Sequence, residues 1–242
     1  MSGFQLVVAS YPEQLADAES VRRYVYSEEE QLLGLPIAES YADLAERTTR
    51  LVVYTNRQPI GTVSLALARG GAARDQQRLG FDLEASFVLR GFELPGIVPA
   101  EVTRFCVLRR YRGTRVAALL YSGLLAESAR LGVTHLVAEA NMQTDCAVDA
   151  ALAYALARQR DWTDSDFSAA PRHEACPPAA PTRFVYTEQQ RSLLRTGELA
   201  AVAPPRTLSL FAQSMRARYI GPPVYEPAFN VFALPLVARL TH

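Results

Sequence analysis

The sequence contains no lysine: all 25 basic side chains are arginine, and they balance 25 acidic ones to a formal net charge of zero. Without lysine there is no Schiff-base nucleophile, which excludes pyridoxal and imine-forming aldol chemistry. There is also no Walker lysine, which excludes an ordinary P-loop nucleotidase. Zero net charge argues against a general nucleic-acid binder, whose surface is basic. Cysteine and histidine are scarce. Cys106, Cys146 and Cys176 show no C-x-x-C spacing, and His135, His173 and His242 are scattered. That pattern argues against a disulfide framework or a metal site and points to reduced thiols in a cytoplasmic protein. No apolar run reaches membrane-spanning length. The opening MSGFQLVVAS lacks the charged-then-apolar order of a signal peptide.

What is present suffices for a core, since 49% of the residues are hydrophobic. Phe4–Ala9 reads as a strand and Gln14–Leu33 as a helix ended by Gly34 and Pro36. Leu51–Tyr54 and Ile60–Ala68 read as a hairpin around Asn56–Pro59. Arg69–Gln77 reads as a loop. Ala100–Leu108 reads as a strand, Gly113–Leu131 as an amphipathic helix closed by Gly132, Val133–Ala140 as a strand and Asp145–Arg160 as a helix. Ser168–Pro181, rich in proline and alanine, reads as a loop or linker. Beyond it, Arg183–Tyr186 reads as a strand and Arg206–Arg218 as a helix. This order predicts a mixed α/β layer fold.

The chemistry-bearing stretch runs from Glu101 to Leu120. A strand enters a turn, and the turn opens a long helix whose first N–H groups form an anion site. Gly113 lets the backbone approach a ligand closely. Arg109, Arg110, Arg112 and Arg115 crowd the same turn. A phosphate or pyrophosphate suits that cluster, and a solvated basic turn is the plainer alternative.

Val107, followed by Arg112-Gly113-Thr114-Arg115-Val116-Ala117, resembles the acyl-donor loop of the GNAT superfamily of N-acyltransferases, R-G-x-G-[ILV]-[GA]. Arg115 stands where glycine is usual. Glu101-x-x-Arg104-Phe105 is similar to the E-x-[ST]-R-F strand of acyl-homoserine-lactone synthases. Related strands occur in N-acyl amino acid synthases and ornithine-lipid-type N-acyltransferases, which take acyl chains from acyl carrier protein. Pro59-Ile60-Gly61-Thr62-Val63-Ser64-Leu65 resembles their P-x-G-T-x-R-L strand, with Ser64 in place of arginine. The tail, Ala217 to Phe229, resembles their G-A-x-x-x-G-x-x-x-x-[DE]-x-x-F ending, with Arg216 in place of glycine and Glu226 as the acid.

The resemblance implies a GNAT-like, mostly antiparallel central sheet flanked by helices. Residues 1–162 would form the acyltransferase core, 163–182 a loop, and 183–242 an extension completing the sheet and acceptor site. It implies no permanent cofactor, and a donor that is the phosphopantetheine thioester of acyl carrier protein, or acyl-coenzyme A. Phe105, Val107, Arg112, Gly113, Thr114, Arg115, Val116, Ala117 and Asn141 would hold that donor. Glu101 would serve as the base, or else pair with Arg104 across a bulge, and Arg104 would anchor a substrate carboxylate. Arg22, Arg23, Tyr26 and Asp43 would face a small amine acceptor, and Asp43 or Glu46 would pair with one of those arginines. Cys106 reads as a buried inert thiol, His135 as a satisfied core histidine and Tyr154 as a packing residue. An acetyl-coenzyme A-dependent acetyltransferase and a degenerate, non-catalytic binding domain are the alternatives.

Overall fold

The computed structural model describes residues 3–30, 45–70, 78–173 and 177–240. In chain order the strands are β1 (Gln5–Val8), β2 (Thr48–Thr55), β3 (Gln58–Leu67), β4 (Phe87–Arg90), β5 (Pro99–Val107) and β6 (His135–Asn141). Then come β7 (Ser168–Pro171), β8 (Arg218–Tyr219), β9 (Val224–Glu226) and β10 (Val231–Arg239). The helices are α1 (Pro12–Tyr24), α2 (Val116–Arg130), α3 (Ala147–Gln159), α4 (Glu188–Arg195) and α5 (Arg206–Ser209). This is the expected mixed α/β class. Among the described residues no helix is long and apolar enough to cross a membrane.

The chain divides into two compact units. The first draws on the stretches up to Asp82 and from Gly96 to Leu136. There β1, β2, β3 and β5 pair in that order, all antiparallel. The hairpin turn is Asn56-Arg57, both left-handed at φ 48° and 62°, the conformation a two-residue hairpin needs. Gly61 of β3 pairs with Val107 of β5, and a Cβ on Gly61 would lie 2.8 Å from Cγ1 of Val116. The absence of a side chain there lets the first turn of α2 sit on that face. The next pair, Thr62 and Cys106, faces the other way because side chains alternate along a strand. Cys106 meets the Tyr26 hydroxyl, carried on the turn after α1. The two helices therefore flank opposite faces of the sheet.

α1 departs from the expected span. It ends at Tyr24 and continues as a π-helical turn over Val25–Glu29, closed by the Glu30 N–H to the Val25 carbonyl at 2.9 Å. Residues 31–33 of the expected helix lie outside the described residues. π turns inside helices are rare and re-aim the side chains that follow.

In the second unit β6, β10 and β8 are neighbours, β9 pairs with β10, and β4 pairs with β7 as a separate ribbon. The Ala- and Pro-rich stretch expected as a loop thus contains a strand, because β4 supplies a partner that four residues of low alternation do not announce. Arg183–Tyr186, expected as a strand, pairs with no strand among the described residues. Two buried aspartates at the start of α3 take its N–H groups instead. Asp145 accepts from Thr182 and Arg183 at 3.0 and 2.8 Å, and Asp149 from Val185 and Tyr186 at 2.8 and 3.2 Å. Arg191 of α4, a helix that went unread in the sequence, closes the clamp on Asp149 at 2.6 Å. The expected helix from Arg206 to Arg218 is one α turn and a π turn (Leu210–Ser214), followed by β8.

Two measurements check this account. Gly61→Ala forces Val116 to give way, and should lower stability by about 1–3 kcal/mol in urea unfolding. An unchanged midpoint would mean that α2 does not rest on Gly61. Burial opposes ionisation of Asp145, but the N–H donors from Arg183 and Thr182 outweigh it and hold its carboxyl below the usual carboxylate range. Its contribution is therefore present above the unfolded value of about 3.9 and lost as pH falls through the folded one. Asp145→Asn should melt lower at pH 7 and lose less between pH 5 and pH 3 than the native chain. Parallel losses would count against the clamp.

Candidate active site

β5 carries one residue more than β3 can match. Thr62 pairs with Cys106 and Ser64 with Thr103, so Arg104 and Phe105 together oppose Val63. This is a β-bulge, which bends the strand and re-aims a backbone N–H. Arg104 sits at φ 56°, in the left-handed region that favours glycine. For an ordinary residue that conformation is unfavourable by roughly 1–2 kcal/mol. An ion pair offsets it: Arg104 Nη2 lies 2.9 Å from Asp82 Oδ2, with both side chains largely buried. The Asp82 N–H donates to Glu101 Oε2 at 2.8 Å, and Glu101 is only 2% exposed. Both bonds made by Asp82 went unread in the sequence. Phe105 is turned outward, 42% exposed in mid-strand, while Val107 is buried.

The inner face of α1 meets this bulge. Arg22 is buried at 8% exposure, and its Nε has no hydrogen-bond partner among the described residues. Burial first, and then the nearby charge of Arg104, lower its pKa. Tyr26, half-buried, bonds the Cys106 thiol. Burial pushes that thiol up to about 11, so Cys106 is a protonated thiol at neutral pH, as its strand position suggested. Arg23 points the other way: it is exposed and pairs with Glu19 at 2.7 Å along the helix. Of the two adjacent arginines, only Arg22 faces the bulge. Glu46 is exposed, and Asp43 lies outside the described residues.

After β5 the chain makes a 3-10 turn (Arg109–Tyr111), extends through Arg112, and passes Gly113 before α2. Gly113 has φ 80° and open space around it, so the left-handed backbone, rather than crowding, requires glycine there. Thr114 accepts the Val116 N–H at 3.4 Å and donates to the Tyr111 carbonyl at 2.6 Å, closing the turn. Val116 is fully buried, and Ala117 faces outward. Arg115 is helical at φ −69°, so an ordinary side chain fits where the resembled motif has glycine, and it is exposed.

Two of the four turn arginines are not free. Both oxygens of Glu29 accept the Arg109 N–H, at 2.8 and 2.9 Å, and the Arg109 guanidinium reaches the Glu29 carbonyl. Arg112 bridges Glu30 at 2.8 Å and Glu29 at 3.1 Å, and its Nε donates to the Val107 carbonyl at 3.0 Å. The π turn delivers both carboxylates. Arg110 stacks on the Tyr111 ring at 4.9 Å. Beside the turn lies a groove of about 790 Å³, bordered by Val21, Tyr24, Pro59, Leu108 and Arg110.

The remaining candidates occupy separate places. Ser64 is buried and lies across from Arg50 in the β2–β3 register. Asn141 ends β6, with its side-chain oxygen taken by the Gln143 N–H at 2.7 Å. His135 is half-buried and shares a 2.8 Å hydrogen bond with Thr134. Tyr154 is half-buried in α3. Glu226 accepts the Ser86 hydroxyl at 2.7 Å, and burial raises its pKa against that bond. Arg216 stands at φ 51°, a left-handed position where glycine would be less strained. No group of three or more His, Cys, Asp or Glu among the described residues is arranged to hold a metal.

Solved structures place this architecture. FeeM, an N-acyl amino acid synthase from uncultured soil microbes, superposes at a TM-score of 0.54 with 14% identity, covering 99% of this chain and 92% of that one. An aminoglycoside 6′-N-acetyltransferase complexed with coenzyme A superposes at 0.51 with 8% identity, over 98% of each chain. The chain has the GNAT acyltransferase fold. No protein-family model and no curated protein matches the chain by sequence.

The thiol state is directly measurable. Buried and protonated, Cys106 should stay unmodified by iodoacetamide at pH 8 in the folded protein and react fully in urea, by peptide mass spectrometry. Rapid labelling without denaturant would refute the burial.

Proposed function

We propose that this protein is an N-acyltransferase that moves an acyl group from a pantetheine thioester to the amine of an amino acid or similar small molecule. The observation that supports it most is the pairing of Arg22, a buried guanidinium with an unpartnered Nε, with the bulge that holds Arg104. A buried guanidinium nitrogen without a hydrogen-bond acceptor is unfavourable, and an acceptor's carboxylate would supply one. The bulge beside it is where a thioester carbonyl would meet a re-aimed backbone N–H.

The chemistry is direct attack. The neutral amine adds to the thioester carbon, and the bulge N–H stabilises the oxyanion. Glu101, directly or through a water, takes the amine proton. The C–S bond then breaks, and the thiolate leaves with a proton, giving an amide and free pantetheine thiol. Cys106 plays no nucleophilic part, because its thiol stays protonated.

The donor we favour is acyl carrier protein, an acidic partner in the cytoplasm. Arg110 and Arg115 would meet it, since Arg109 and Arg112 are engaged by Glu29 and Glu30. Acyl-coenzyme A is the second reading, favoured by the coenzyme A bound in the aminoglycoside acetyltransferase of the same fold. The deciding experiment is acyl transfer from acyl carrier protein and from acyl-coenzyme A to a panel of amino acids and other amines. Glu101→Gln should lower kcat by about 100-fold if it is the base, in line with general-base effects. Full activity of that variant would remove Glu101 from the mechanism, and no transfer from either donor would refute the enzyme reading.

A further inference from the structure

Asp82 makes two bonds toward the bulge and leaves one atom over. Its Oδ2 lies 2.9 Å from Arg104 Nη2, and its N–H donates to Glu101 Oε2 at 2.8 Å. Arginine and carboxylate commonly join through two parallel bonds. Here the second arm of the fork turns away, and Arg104 Nη1 donates to Thr103 Oγ1 at 3.3 Å. Asp82 Oδ1 is therefore left buried, with no hydrogen-bond partner among the described residues. Neither structural task of Asp82 uses that oxygen.

Arg22 shows the same condition in the opposite sense. Its Nε is a buried donor with no acceptor among the described residues, on a side chain close enough to Arg104 to feel its charge. One unmatched donor and one unmatched acceptor thus lie near a single guanidinium, within one compact unit. Buried polar atoms without partners are unfavourable and few in folded proteins. A molecule carrying an anionic acceptor and a cationic donor would match both. Its amino group is repelled at Arg22, where two guanidinium charges meet, and attracted at Asp82 Oδ1.

We infer that Asp82 is a substrate-binding residue whose Oδ1 accepts a hydrogen bond from the acceptor's amino group while the acceptor's carboxylate lies at Arg22. The inference rests on the acyltransferase reading above and deepens it, by naming a residue outside every motif that holds the attacking nitrogen. Because the Asp82 N–H holds Glu101, an amine bound at Oδ1 sits beside the proposed base. Asp82 holds the nitrogen, and the proton passes to Glu101 as above.

The test compares two molecules on two proteins. The standard amino acids are screened for binding to the full native chain by calorimetry. The tightest binder is then paired with the carboxylic acid that has hydrogen in place of its amine. The native chain should bind the amino acid roughly ten-fold tighter than the deaminated acid, the effect of one charged hydrogen bond. Asp82→Asn keeps the backbone N–H and an oxygen for Arg104, and presents an amide NH2 in place of Oδ1. It should bring the two affinities within about two-fold of each other, with the deaminated acid bound as in the native chain. A merely structural role would weaken both compounds alike. Where transfer is observed, Asp82→Asn should raise the acceptor's KM roughly ten-fold and leave the donor's KM unchanged. The inference is overturned if the native chain binds no amino acid, if it binds the pair equally, or if Asp82→Asn weakens both in parallel. Should Asp82→Asn fail to fold, the native comparison decides. Transfer with an unchanged acceptor KM in Asp82→Asn refutes this inference and leaves the enzyme reading standing. Amine-dependent binding without transfer from any donor refutes the enzyme reading and leaves the amine site standing.

Discussion

The extra residue in β5 is the constraint around which the first unit is arranged. Two residues opposing Val63 bend the strand, turn Phe105 outward and place Arg104 in a left-handed backbone. That conformation persists because surrounding bonds over-determine it. Asp82 supplies two of them, one to the Arg104 guanidinium and one from its own N–H to Glu101. The two residues expected to do chemistry are thus held through a third that no motif contains. On the same face, Arg22, Tyr26 and Cys106 enclose the bulge with a buried cation, a phenol and a protonated thiol.

The turn that follows β5 shows how a fold revises a charge count. Four arginines in seven residues suggest a strongly positive site. Glu29 and Glu30, 80 or more positions earlier, ion-pair with Arg112, hold the Arg109 N–H and brace the turn against the end of α1. Because α1 carries Arg22 and the π turn that continues it carries Tyr26, one helical segment ties the arginine-rich turn to the bulge. Arg115 and Arg216, which replace glycines of the related motifs, have different standing. The first is helical and tolerates any side chain, and the second occupies a left-handed position where glycine would be less strained.

In the second unit, carboxylates stand in for a strand. Asp145 and Asp149 accept four backbone N–H groups from Thr182 to Tyr186, so a segment with strand-like composition is fixed without a ladder. Conversely, Ser168–Pro171 forms a strand despite a linker-like composition, because β4 is there to pair with it. Both outcomes depend on what lies opposite, and composition does not report that.

By itself the sequence determined what is local. Periodicity and turn residues placed β1, the β2–β3 hairpin, β5, α2, β6 and α3, and motif spacing marked the bulged strand and the arginine-rich turn. Those signals are legible because strand alternation, helical spacing and a left-handed glycine act within a few residues. The tertiary structure alone decided which of Arg22 and Arg23 faces the bulge, what pairs with Arg104, and how much of the turn's charge is free. Each is settled by a through-space bond between residues distant in sequence, where geometry and burial, rather than composition, choose the partner.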